Sequence, residues 1–408
     1  MPGPEAEEAT TEAAIFEGPL LDMNQTRIDV RSEYWFDRSV FRSVKFDFGT
    51  NDYEHKEIEP SGELATRFDN DAWQARVQLA LMPWAAWDGV VGMQLDDRNF
   101  SAVGKEAFVS PTATESTGVF VTENGEFAWG QLFFGARFEA TEHDNSSGNK
   151  YDASGFSVGL GATFNLPHAL ELVMNVARTE RHPNAEELFS NGTHIATRQY
   201  EIGLVAEGGG SADTEHSLNV DIGLSRQVGD VRFDANLFFY DIGDYVHQDI
   251  ADAKRGAFPI AQYTQGDAEF YGFEIAVVFP LVKPQILKTD LRVFADYVSA
   301  SLDNSDDLPR IPPWRTGANL KLEWKNWHAG ADLRYHSNKT DISSFNTSAY
   351  TMLDLNALYK IDGHHFNWEI FARATNLLDE NARKSTSVLA AFAPLPGRSF
   401  LLGVRLKF

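Results

Sequence analysis

GRSFLLGVRLKF, residues 397–408, brings the chain to its end on an aromatic residue. Phe400, Leu402, Val404, Leu406 and Phe408 form one apolar row, while Ser399, Gly403, Arg405 and Lys407 fall on the other. Only Leu401 breaks the rule. Side chains that change face at every residue belong to a β-strand, because helical faces recur about every 3.6 residues. The stretch reads as a strand with one face for an apolar medium and one for a polar medium.

The same period recurs upstream. Val44, Phe46 and Phe48 alternate with Lys45, Asp47 and Gly49, and Leu218, Val220, Ile222 and Leu224 alternate with Asn219, Asp221, Gly223 and Ser225. Trp327, Ala329, Ala331, Leu333 and Tyr335 alternate with His328, Gly330, Asp332, Arg334 and His336, and stretches at 291–297, 318–324 and 353–359 behave alike. No long helical period competes, so the chain is all-β.

Two classes of connection alternate along it. FDRS (36–39), MPWAA (82–86), ENGE (123–126), NLPH (165–168), QVGD (227–230), KN (325–326) and DGH (362–364) are short. Long polar stretches cover 1–23, 51–70, 99–116, 142–150, 180–213, 247–264, 303–311, 337–348 and 377–397. Strictly alternating short and long connections are what an antiparallel up-and-down transmembrane β-barrel shows, with short periplasmic turns and long external loops. A soluble sandwich scatters its loop lengths, and its strands are about five or six residues long. The alternating runs here match the roughly 9–11 residues of a tilted bilayer-crossing strand.

Tryptophan placement agrees. Trp35, Trp84, Trp87, Trp129, Trp324, Trp327 and Trp368 lie beside proposed short turns, with Trp73 and Trp314 at the long-loop end. Indoles favour the membrane interface, where the ring is dehydrated and the N–H stays wet. In a soluble core they would fall mid-strand instead.

Composition bounds the remaining classes. The 408 residues carry a formal charge of -24, no cysteine and 12% aromatic residues. An acidic chain without a basic stripe is a poor partner for nucleic acid, and missing cysteines exclude disulfide scaffolds and thiolate metal sites. The mean hydropathy of -0.31 fits the absence of any apolar run near the roughly eighteen residues of a membrane helix. The opening MPGPEAEEATTEAAIF lacks the basic and apolar regions of a signal peptide.

Catalytic motifs are few. Gly155-Phe156-Ser157-Val158-Gly159 matches G-x-S-x-G, but that motif needs a sharp strand-to-helix turn. Here alternation runs on to Phe164, so small residues on a barrel strand are the expected reading. The loop ERHPNAEELFSNGTHIATRQYEIG (180–203) carries His182, Glu186, Glu187 and His194. Imidazole with carboxylates suits a borderline metal such as zinc, and ordinary polar surface is the other reading of the same residues.

These segments resemble the C-terminal barrel of TonB-dependent outer-membrane receptors. The family pattern E-R-x-P-x-x-E-E-L-(Y/F)-x-x-G-x-H-x-A-T appears as Glu180, Arg181, Pro183, Glu186, Glu187, Leu188, Phe189, Gly192, His194, Ala196 and Thr197, continued by Tyr200-Glu201-Ile202-Gly203. The F-Y-G-x-E strand appears as Phe270, Tyr271, Gly272 and Glu274. LPRIPPWR (308–315), Asn376–Arg383 and Ala393–Phe400 match later segments.

Within the family the likeness is to zinc-uptake receptors, which implies His194 as the best single ligand and zinc as a transported substrate. Where those receptors carry a His- and Asp-rich loop, residues 2–21 hold acids but no histidine, which leaves a siderophore, haem or another nutrient open.

The resemblance implies a bacterial outer-membrane receptor, not an enzyme, with no cofactor of its own. Outer-membrane lipid and the barrel assembly machinery are its implied partners. The machinery would read the terminal row Phe400, Leu402, Val404, Leu406 and Phe408. A monomer is expected, and a TonB complex would engage only the full-length form. Residues 1–408 are expected to be one barrel unit of about seventeen strands, against about twenty-two in the family, with signal peptide, plug and first strands missing. The alternative is a truncated, non-functional remnant or a passive barrel with only a structural role. With an odd count the first and last strands run the same way, so the wall either closes by a strained parallel pairing or stays open.

Overall fold

The computed structural model describes residues 20–37, 39–105, 107–206, 210–282, 287–303, 307–340, 346–363 and 366–407. The strands are β1 Leu20–Trp35, β2 Phe41–Ile58, β3 Leu64–Leu81, β4 Trp87–Gly104, β5 Thr112–Phe127, β6 Gly130–Asn145, β7 Lys150–Leu166 and β8 Leu170–Arg181. A loop with helix α1 Ala185–Phe189 and two short strands, β9 Asn191–His194 and β10 Gln199–Ile202, follows. Then come β11 Glu215–Val228, β12 Val231–Arg255, β13 Phe258–Pro280, β14 Lys288–Leu302 and β15 Arg315–Trp324. β16 Trp327–His336, β17 Tyr350–Ile361, β18 Asn367–Thr375 and β19 Ser399–Lys407 complete the set.

Among the described residues all nineteen strands join one sheet. Setting aside β9 and β10 leaves seventeen that form the wall, the number expected from alternation. Each wall strand pairs antiparallel with the next, and β8 pairs with β11 across the intervening loop.

Register separates the two faces. Trp368, Ile370, Ala372 and Ala374 stand opposite Leu406, Val404, Leu402 and Phe400, and Phe400 and Leu402 are 73% and 76% exposed. On the other face Glu369 accepts hydrogen bonds from Arg405 at 3.0 Å and Lys407 at 2.5 Å. Similar pairs, Arg315 with Asp296 at 2.7 Å and Arg334 with Asp354 at 2.6 Å, recur along the wall. An apolar outer row and a charge-paired inner row are the division a membrane barrel needs. Phe408 lies outside the described residues, so this terminal row is described through Leu406.

Loop lengths differ from the sequence expectation for a physical reason. β2 and β3 each run for 18 residues, well beyond the roughly 9–11 needed to cross a bilayer. The polar residues at 51–70 therefore extend the ladder above the membrane, leaving 59–63 as the connection. β12 and β13 extend likewise, with Gly256 at positive φ in the tip.

Two turns differ from the sequence expectation. ENGE stays inside β5, because Glu123 and Gly125 pair with Gly89 and Trp87 in the ladder. The turn is Ala128-Trp129, which the chain leaves through Gly130 at φ 147°. The other connection, at 281–287, separates β13 from β14, and its residues 283–286 lie outside the described set.

The tryptophans flank the short turns as expected. Trp324 and Trp327 face each other across one of them, and Trp84 bridges Trp87 at another. Trp73 lies within β3, and about 26 Å of strand separates it from Leu81 at about 3.3 Å per residue. At a strand tilt of roughly 35–45° that length rises about 20 Å, which brings Trp73 toward the outer part of an apolar band about 25 Å tall.

G-x-S-x-G lies in the straight β7 with no helix behind it. Among the described residues no helix is long and apolar enough to cross a membrane, so crossing falls to the strands. No pairing joins β1 to β19 among the described residues, and every residue of β1 is exposed. Among the described residues the sheet is open, the second of the two outcomes expected for an odd count, and its edge strands β1 and β19 run in the same direction.

Candidate metal centre

The loop between β8 and β11 is built by local chemistry. Asn184 caps α1, its side chain accepting from the backbone N–H groups of Glu186 and Glu187 at 2.9 and 3.0 Å. Glu187 reaches back to accept from the Asn184 N–H at 2.8 Å, closing a capping box. The helix buries Leu188 and Phe189 against Val109 and Tyr151.

Gly192 lets the β9–β10 hairpin lie against the β4–β5 connection, because a Cβ there would stand 2.8 Å from the Phe108 Cα. Asn191 N–H donates to the Phe108 carbonyl at 2.7 Å, and the Phe108 ring stacks on His194 with centroids 4.1 Å apart. β10 then pairs in parallel with the outer end of β13, over Ile260–Gln262, beyond the point where β14 stops at Leu302. Arg198 also lies over the ring of Phe392, in the connection before β19. The loop thus touches residues around the rim and spans the outer mouth.

Glu186, His194 and Glu201 converge there. One ligand atom from each lies within 4.8 Å of the others. Glu201 is 1% exposed. Its Oε1 lies 2.8 Å from His194 Nδ1 and accepts from the Thr197 hydroxyl at 3.0 Å, while its Oε2 has no hydrogen-bond partner. Partial burial and the charge of Glu201 push the Glu186 carboxyl above the ordinary carboxylate range. An unpartnered buried oxygen beside a second carboxylate is an arrangement that a cation stabilises.

The four residues singled out in sequence separate here. His194 and Glu186 enter the cluster. Glu187 is held by the capping box and by Arg181 at 2.9 Å. His182 faces Thr214, with Nδ1 3.2 Å from the hydroxyl. Glu201 is absent from the sequence candidates, although Gln199 and Glu201 alternate with Tyr200 and Ile202 and put two polar groups on one strand face.

A model of the family described as "TonB dependent receptor-like, beta-barrel" matches residues 17–377. Among solved structures, "Copper transporter OprC" aligns with a TM-score of 0.79 at 17% identity, covering 94% of this chain and 64% of that one. The FrpB iron transporter of Neisseria meningitidis aligns at 0.72 and 13%, with 94% and 63% covered. The ferric enterobactin receptor PfeA of Pseudomonas aeruginosa aligns at 0.68 and 15%, with 94% and 61% covered. The chain therefore spans less than two thirds of the length of each.

Proposed function

We propose a transport role from one premise: the chain belongs to the TonB-dependent receptor family of β-barrels. It is an outer-membrane barrel in contact with lipid, and not an enzyme. In our reading it forms the receptor wall and external cap through which a scarce metal, free or chelated, is taken up. TonB would couple energy to the whole receptor, the barrel assembly machinery would insert the wall by its terminal row, and the wall would act as a monomer.

The observation that carries the metal reading is the convergence of Glu186, His194 and Glu201 at the mouth, with one buried carboxylate oxygen unpartnered. Proteins sharing the fold include a copper transporter, an iron transporter and a ferric enterobactin receptor, and all three names involve a metal. Zinc is the ion we favour first, because one imidazole with carboxylates suits a borderline cation and no sulfur donor lies in the set. Glu187 and His182 are assigned to the frame of the loop.

Zinc titration of the 408-residue chain in detergent, read by calorimetry, tests this. His194→Ala should weaken binding about tenfold or more, and an unchanged isotherm removes His194 as a ligand. The second reading, a barrel with a structural role alone, draws on the two uncovered edges of the sheet. An absence of zinc or iron binding by the intact cap would favour it.

A further inference from the structure

We propose that residues 5–17, the acidic stretch ahead of β1, dock on a basic patch of the lumen wall over β1–β4. Residues 1–19 lie outside the described set. They hold Glu5, Glu7, Glu8, Glu12 and Glu17 with no lysine, arginine or histidine.

The receiving surface is a groove of about 850 Å³ on the inner face of these strands. Register stacks its cations in two tiers. Arg27, Asn51, Ala72 and Arg98 stand in line across the four strands, and four residues further in Arg31, Asp47 and Arg76 form a second line. Among the described residues three of the guanidinium groups lack a close carboxylate. Arg31 is 3.6 Å from an Asp47 that already holds Lys45 at 3.0 Å. Arg98 donates to Asn70 Oδ1 at 2.6 Å, and Arg76 Nε, shielded from solvent, has no hydrogen-bond partner. The remaining carboxylates are engaged, Asp29 with Arg27 at 2.8 Å and Asp96 with Gln74 and Gln94. In a chain of charge -24, an uncompensated positive patch suits a carboxylate-bearing occupant from the same chain.

Reach and spacing agree with this occupant. The segment joins β1 at Leu20, on the outer rim. Arg27 and Arg31 lie seven and eleven residues along the strand from Leu20, about 23 and 36 Å at about 3.3 Å per residue. After a reversal at Gly18-Pro19, Glu12 and Glu8 stand eight and twelve residues back from Leu20, so an extended chain brings one carboxylate to each tier. The same residues argue against a strand added to the free edge of β1. Period two places Glu5 and Glu7 on one face and Glu8 and Glu12 on the other, so either pairing would put carboxylates into lipid. A docked segment neutralises the patch from within the chain and competes with any anion entering along this face.

The experiment uses the 408-residue chain in detergent, which has no native cysteine. Spin labels at Thr10→Cys and Gln74→Cys report the distance from the segment to the wall between the two tiers. The pair should give a short, narrow distance distribution at low salt that lengthens and broadens at about 1 M salt, where the Debye length is about 3 Å. Glu8→Lys with Glu12→Lys should abolish the short component. Arg76→Glu with Arg98→Glu, added to that variant, should restore it. A long, broad distribution without the charge changes overturns the proposal, as does a short component that survives Glu8→Lys with Glu12→Lys. Both of those outcomes are read on substitutions outside the wall or on the label pair alone, and unchanged circular dichroism establishes that the wall has formed. A charge exchange that folds but leaves the distribution long also overturns it, because the glutamates would then act on some other surface.

Discussion

The wall and the cap of this molecule are stabilised in different ways. Along the wall both faces are open, one to lipid and one to the lumen, so large apolar residues such as Leu237 and Leu402 remain 56% and 76% exposed. The cap behaves as a small soluble core. Leu188, Ser190 and Glu201 are almost completely buried, and Phe189 packs with Val109 and Tyr151. Ladder hydrogen bonds and the surrounding medium hold the wall, whereas packing and desolvated polar contacts hold the cap. The same change of residue should therefore have opposite consequences in the two regions.

Truncation tests the cap most severely. Leu188→Ala removes a side chain with no exposed surface, and such cavities cost about 2–5 kcal/mol. Amide exchange in 182–206 should accelerate sharply while the wall amides stay protected. Equal protection in the cap would show that it is not a packed unit.

The wall answers to charge. Leu237 and Asn236 are neighbours in β12 that face opposite sides, Asn236 standing opposite Glu274 and Leu237 opposite Phe273. Leu237→Arg should destabilise the barrel in liposomes by about 2–4 kcal/mol if the residue sits near the bilayer midplane. Asn236→Arg, on the lumen side, should stay within about 0.5 kcal/mol. Similar urea unfolding midpoints for the two variants would reverse the assignment of faces.

A smaller effect belongs to the helix that carries Glu186. Asn184→Ala removes the acceptor of two backbone N–H groups and should cost about 1 kcal/mol within the cap. Zinc affinity should fall with it, because α1 positions Glu186. A loss of cap stability without any change in zinc affinity would separate the helix from the site.

These contrasts also explain what could be read in the chain. The wall was legible because period-2 alternation is written in every strand, and seventeen strands and the interface tryptophans followed from it. ENGE misled because Asn-Gly is a strong hairpin signal, yet cross-strand pairing keeps Gly125 inside β5. The 281–287 connection escaped because Leu281 and Val282 continue the apolar pattern of β13. In the cap, His194 and Glu186 stood out through a local motif. Their partner Glu201 is brought to His194 by the β9–β10 hairpin, and no period in so short a pair of strands announces which of its polar residues meet.

The last prediction concerns pH, where the cap and its cargo should pull in opposite directions. The Glu186 carboxyl is raised in the folded cap by partial burial and then by Glu201. The native state therefore holds a proton that the unfolded chain releases earlier. Its contribution to cap stability is complete below the ordinary glutamate range and is lost as pH rises through the raised one. A metal competes with that same proton, so zinc affinity should increase as pH rises through this window. Glu186→Gln should flatten the stability profile of the metal-free cap and weaken zinc binding at every pH. Amide exchange of 182–206 measures the first slope and calorimetry the second. If both slopes have the same sign, the proton and the metal do not share Glu186, and the cap is a structural lid without a metal centre.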